Sequence, residues 1–166
     1  MKPPPAPRRL ATEYEDASAS PGLLLWQVTN QWQAATRAAL TPLGLTHVQF
    51  VLLASLTWLD TQGPVTQKRL ADHAVTDPMM TSQVLRALEL RGLVERQPHP
   101  DDKRARAVSV TTSGVALANE GVKAAEAVDR TFFGVLGDGL PMLTAALAAL
   151  AETRSDSARQ AAAPLK

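Results

Sequence analysis

Residues 65–111 read VTQKRLADHAVTDPMMTSQVLRALELRGLVERQPHPDDKRARAVSVT, and the spacing of the apolar residues within them decides the fold. Thr66 is a suitable N-cap for a short helix whose residues Leu70, Ala71 and Ala74 share one face. A turn at Val75 and Thr76 follows. Asp77 and Pro78 then supply an N-cap and a first helical residue, because proline lacks only a donor that is unsatisfied there anyway. Thr81, Val84, Leu85 and Leu88 recur at helical spacing and are expected to face inward. Gly92 stands where a left-handed cap is wanted, Leu93 and Val94 open a strand, and Ala107–Val110 alternate as a second strand. The charged, proline-bearing tip QPHPDDKRAR joins the two. Helix, turn, helix and β-wing in that order make a winged helix-turn-helix, a unit that sets one helix into the major groove of duplex DNA.

The same spacing leaves Met79, Met80, Ser82, Gln83 and Arg86 on other faces, in the N-terminal half of the second helix. Gln83 suits a bidentate bond to adenine, Ser82 a base or phosphate, and Arg86 a phosphate or guanine. Met79 and Met80 have no strong hydrogen-bonding group and can offer only apolar contact to a thymine methyl. Thr66, Gln67 and Lys68, at the start of the first helix, complete the helical candidates for DNA contact.

The segment LELRGLVERQPHP followed by DDKRARAVSVTTSG resembles the MarR family of transcriptional regulators. The resemblance rests on the pattern LxxxGLVxR, on the D-x-R pair at the wing tip, and on LT-x-x-G, present here as VTTSG; it covers roughly residues 22–155. It implies that Asp102 orients Arg104, which enters the minor groove, with Lys103 and Arg106 as flanking cations for phosphates. A narrow minor groove is strongly negative, so an arginine there is electrostatically sensible. The plainer alternative is a solvated hairpin whose surface ion pair contributes about 0–1 kcal/mol.

Around this unit the chain reads as mainly α with a small β-wing. Residues 1–19, with four of the twelve prolines, read as a flexible tail, and 161–166 as a frayed end. Residues 20–160 read as one domain: 46–111 the winged unit, 20–45 and 112–160 helices left over for dimerisation. Ser20-Pro21 caps a helix rich in apolar residues on more than one face, and Thr46 caps HVQFVLLASLTWL, in which Phe50, Leu53, Ala54, Leu56 and Trp58 are expected in the core. Thr111 or Thr112 opens a long helix broken at Gly137–Gly139, and an alanine–leucine stripe (Leu143, Ala146, Leu147, Leu150) forms the last one. A winged unit does not need these extra helices for its own core. They are expected to join two copies, so that two reading helices meet a near-palindromic operator; one enlarged monomeric helical domain is the other arrangement this pattern allows.

Composition narrows the function. The chain has no cysteine, which excludes disulfides, thiolate metal sites and thiol-based redox sensing, and departs from the peroxide-sensing branch of the MarR family. His47, His73 and His99 share no metal-ligand spacing, and no phosphate-cradling glycine loop or nucleophile elbow occurs, so no cofactor and no enzyme activity are expected. No apolar run close to the length of a membrane span is apparent, and a cytoplasmic address is the expectation. Residues 63–111 carry eight Lys or Arg against six acids, a weak positive bias of the right sign for DNA. The MarR resemblance further implies a pocket for a small aromatic or phenolic effector that releases a repressor, with Trp26, Arg37, His47, Phe50 and Trp58 as candidate contacts. A winged-helix module that binds a protein partner and reads no DNA is the competing function.

Overall fold

The polar residues that precede each apolar run cap the helices. In the computed structural model, which describes residues 12–98 and 106–161 (only the backbone path for 153–161), Ser20 Oγ accepts the Leu23 N–H and α1 runs over Pro21–Leu40. Thr46 and Gln49 form a reciprocal capping box at the start of α2, His47–Asp60: Gln49 N–H donates to Thr46 Oγ1 (3.2 Å), and Thr46 N–H to Gln49 Oε1 (3.0 Å). Thr66 caps α3, Gln67–Ala74; Asp77 caps α4, Pro78–Leu90; Thr111 caps α5, Thr112–Phe133. Each such cap contributes about 1 kcal/mol. Helix α6, Leu140–Ala161, follows a 3-10 stretch at Gly134–Gly139. Within the segment read as a tail, Ala17–Ala19 form a 3-10 turn capped by Asp16.

Three short strands complete the fold: β1 (Val65–Thr66), β2 (Val94–Pro98) and β3 (Arg106–Val110). They form an antiparallel sheet in the order β1-β3-β2, with Val65 opposite Val108 and Val94 opposite Val110. Helix α2 is the hub. It packs on α3, α4, α5 and β3, and its Leu52, Leu53, Leu56 and Leu59 join Leu40, Leu70, Leu85, Leu88, Val94 and Val108 in one core. Asp60 ties its far end to the wing by accepting the Val110 N–H at 3.1 Å. Helices α1 and α2 meet at a bend of 77°.

Two expectations need correction. Trp58, placed in the core by reading α2 as apolar, is 67% exposed. The helix packs along the leucine stripe, and Trp58 falls between those leucines and solvent. Finally, Thr112–Glu152 does contain an 18-residue window with a mean hydropathy of 1.6, long and apolar enough by composition to cross a membrane. The helix path is broken inside this stretch at Gly137 (φ 49°, ψ −124°). None of the window is buried within the subunit.

Candidate nucleic-acid interface

Helix α4 has two opposite faces of different chemistry. Thr81, Leu85 and Leu88, at i, i+4 and i+7, are buried. Met79, Gln83 and Arg86 repeat the same spacing on the other side and are exposed. Thr81 belongs to the inner face despite its hydroxyl, because that group donates to Asp77 O and lies 2.8 Å from Thr76 Oγ1. The inner stripe holds the helix in the core and so aims the outer one. Met79 is 74% exposed and Met80 39%, whereas Ser82 is half-buried beside the stripe.

The turn between α3 and α4 sets their angle. Val75 adopts a left-handed conformation (φ 52°, ψ 47°) and donates its N–H to the last carbonyls of α3. A β-branched residue pays about 1–2 kcal/mol for that geometry. Asp77 Oδ1 then accepts the N–H groups of both Met79 and Met80 at 2.9 Å. Pro78 has no N–H, so the first turn of α4 offers no free backbone donor outward. Gln67, half-buried, donates to Pro78 O (3.3 Å) and links the starts of the two helices. Thr66 spends its hydroxyl oxygen on the cap of α3, accepting Arg69 N–H, and Lys68 is exposed beside Asp72 at 2.7 Å.

Arg106 is exposed at the start of β3, opposite Pro98. Asp102, Lys103 and Arg104 lie outside the described residues. Sequence reasoning passed over Arg96, the last residue of the LxxxGLVxR pattern. Its side chain points under the wing toward α4, 3.7 Å from Glu89, and its Nη2 is buried without a hydrogen-bond partner among the described residues. With Gln67, Glu89, Arg106 and Val108 it lines a cavity of about 390 Å³ between the reading helices and the wing. Two guanidinium groups against one carboxylate give that wall a surplus of positive charge. The signal was the arginine's register: it lies opposite Val108, on the face that packs inward.

The effector candidates separate into two groups. His47 lies at the start of α2 with its ring edge-on to Trp32, centroids 5.2 Å apart. Trp32 Nε1 donates to Asp129 Oδ1 at 2.7 Å, so α1, α2 and α5 meet there. Burial, and next the Arg37 guanidinium, hold the His47 imidazole below its ordinary pKa of 6.5. Phe50 lies one turn on, against Gly121 of α5. Trp26 and Trp58, in contrast, are each eleven residues along their helices from Arg37 and His47, about 16 Å away; Trp26 is 68% exposed. An apolar cleft of about 430 Å³ between α1 and α5 is lined by Ala35, Ala39, Ala124, Ala127, Val128, Thr131 and Phe132, and includes none of the five candidates. Trp32 is not among the sequence candidates, because its bond to Asp129, 97 residues away, leaves no local pattern. Among the described residues no group of three or more His, Asp or Glu is placed to hold a metal.

Comparison with known proteins agrees with this architecture. The profile of the MarR family matches residues 45–105. The HTH-type transcriptional regulator YdcH of Bacillus subtilis is 42% identical over 123 residues, 74% of this chain and 84% of that protein. The chain belongs to the MarR family. It is a winged helix-turn-helix transcriptional regulator, and its MarR relatives are regulators rather than enzymes. An HTH-type transcriptional repressor of Mycobacterium tuberculosis is 39% identical over 110 residues, 66% of this chain and 73% of the repressor. The crystal structure of a mutant MarR from E. coli complexed with operator DNA superposes with a TM-score of 0.70 at 26% identity, covering 78% of this chain and 91% of that one.

In this MarR protein the His47 environment makes stability depend on pH. The folded state holds the imidazole below 6.5, so the unfolded chain takes up the proton first as pH falls. Stability is therefore complete above about pH 6.5 and is lost on acidification below it, until the folded pKa is passed. The melting temperature is expected to fall between about pH 7.5 and about pH 5.5, and His47→Gln to remove part of that fall. An unchanged slope in the variant would place the titration elsewhere.

Proposed function

We propose that this regulator acts as a homodimer on a near-palindromic operator, as a repressor in the cytoplasm, and that a small aromatic acid or phenol releases it. The observation that carries the DNA-reading part is the outward stripe Met79, Gln83, Arg86 on a helix whose opposite face is locked in the core. Gln83 and Arg86, about one turn apart on the exposed face, carry an amide suited to adenine and a guanidinium suited to guanine or phosphate. Arg104, oriented by Asp102, takes the minor groove; Lys103, Arg106, Lys68 and the Thr66 and Ser82 hydroxyls take phosphates or bases, with Gln67 bracing the turn. The repressor named in Mycobacterium tuberculosis and the operator complex of the E. coli protein support the assignment by likeness.

What supports an effector site is His47, edge-on to Trp32 at the junction of α1, α2 and α5, with the Arg37 charge acting on it; Phe50 would supply an apolar wall. Trp26 and Trp58, about 16 Å along their helices from Arg37 and His47, would extend such a site only for a longer ligand. A compound that binds there raises the melting temperature of the free protein and loosens its grip on DNA.

A gel shift on DNA upstream of the protein's own coding region tests the reading. Arg104→Ala is expected to weaken specific binding by about 1–3 kcal/mol, with the oligomer intact. The competing function, recruitment of a protein partner, draws on the apolar ends of the outer stripe, Met79 and the well-exposed Leu90. It gains ground if wild type and Arg104→Ala bind all DNA equally and weakly.

A further inference from the structure

We propose that Met79, with Met80 beside it, is an oxidation-sensitive DNA contact through which a two-electron oxidant of the peroxide class weakens operator binding. The inference rests on the DNA-reading assignment above and adds a modification site to it. The chain has four methionines and no cysteine, so thioethers are its only sulfur. Three of the four lie among the described residues. Met142 is as open as Met79 in the single subunit, at 78%, but it stands on α6, in the layer proposed for contact with a second copy. Met79 stays open in such a dimer until DNA arrives.

The chemistry of the turn makes oxidation costly for binding. The thioether sulfur attacks one peroxide oxygen, the O–O bond breaks, an S–O bond forms, and the proton of the attacked oxygen passes to the other, which leaves as water. The sulfur loses two electrons to the peroxide and becomes a sulfoxide, a strong acceptor in place of an apolar group. The first turn of α4 has no free backbone donor to satisfy it: Met79 and Met80 give their N–H groups to Asp77 Oδ1, and Pro78 has none. The Asp77 carboxylate adds like charge. The nearest donor on the same stripe is the Gln83 amide, one turn on, and a bond to the sulfoxide would take that amide from its base. Opposite a thymine methyl or the acceptor edge of guanine, the surroundings an apolar thioether suits, the new acceptor is buried unpaired.

Shielding and release are two sides of one linkage. If DNA covers Met79, DNA slows its oxidation, and oxidation in turn weakens DNA binding. The protein is treated with hydrogen peroxide, free and with operator DNA, and peptides are weighed to locate the added oxygen. Operator affinity is then measured by fluorescence anisotropy. The expected result is preferential sulfoxide at Met79 in free protein, slowed by DNA, with affinity lowered about tenfold and restored by methionine sulfoxide reductases. A Met79→Leu/Met80→Leu double variant, whatever its own starting affinity, is expected to give the same affinity before and after peroxide, whereas Met142→Leu responds as wild type does. Full conversion of Met79 with unchanged affinity overturns the proposal, as does an undiminished response in the double leucine variant. If untreated protein ignores operator DNA, or DNA leaves Met79 oxidation unslowed, the DNA-facing assignment of this turn falls and the proposal falls with it.

Discussion

Gly114→Ala is expected to destabilise the subunit by about 3 kcal/mol, at the upper end of what an inserted methyl group costs in a packed interior. Gly114 is the third residue of α5, and a Cβ there would lie 2.0 Å from Leu93 O, 2.8 Å from Val110 Cγ2 and 3.0 Å from Leu93 C. Val110 can rotate away; the Leu93 carbonyl cannot. Leu93 O accepts the Thr111 N–H at 3.1 Å, and Leu93 N–H donates to Leu88 O at 3.0 Å. The preceding carbonyl, Gly92 O, accepts the Thr111 and Ser113 hydroxyls at 2.7 and 3.1 Å. The end of the reading helix, the start of the wing and the start of α5 are thus joined in one backbone knot that only glycine fits. For a chain of this length the melting temperature should drop by about 6–12 °C. Gly22, also helical, has nothing within 4 Å of its added Cβ, and Gly22→Ala should raise stability slightly, since it is solvent-facing in α1. Equal melting of the two variants would show that α5 does not seat on Leu93 in this way.

The knot also shows what a sequence can and cannot disclose. The glycine of VTTSG was visible as a motif position, but its reason is a carbonyl 21 residues earlier, which no local pattern reveals. Helix starts were legible because a cap is a local device: Ser20, Thr46, Thr66, Asp77 and Thr111 each bond an N–H two or three residues on. The two faces of α4 were legible because its apolar and polar residues alternate with the helical period. Helix α2 is apolar nearly all round, so periodicity could not separate buried Leu59 from exposed Trp58. The apolar stretch around Gly137 was hidden in another way. GDG punctuates it into two short runs by eye, while the mean hydropathy over the 18-residue window still reaches 1.6. Arg96 was hidden by the opposite habit, since a charged strand residue is assumed to face water.

Unsatisfied apolar surface in the single subunit leads to the second large effect. Leu24, Leu25 and Trp26 on α1 and Met142 and Leu147 on α6 are exposed, and within the subunit α6 packs chiefly on the 3-10 stretch before it. Monomeric proteins rarely leave so much apolar surface open. A second copy related by a two-fold axis would cover the same patch on both subunits at once. Leu147→Asp then places two like charges in or beside that interface without disturbing a core residue, since Leu147 faces solvent in the lone subunit. The variant is expected to be monomeric by light scattering. Its operator affinity should fall about a hundredfold or more, because two linked reading helices gain roughly 10²–10⁴ over one. Should the separated subunit unfold, the wild type supplies the second measurement: a dimeric native state melts at a temperature that rises with protein concentration, and a monomeric one does not. A Leu147→Asp protein that stays dimeric and binds operator normally would move the interface off α6. It would leave the apolar run from α5 into α6 without an occupant, and Met142 would then compete with Met79 for oxidant on equal terms.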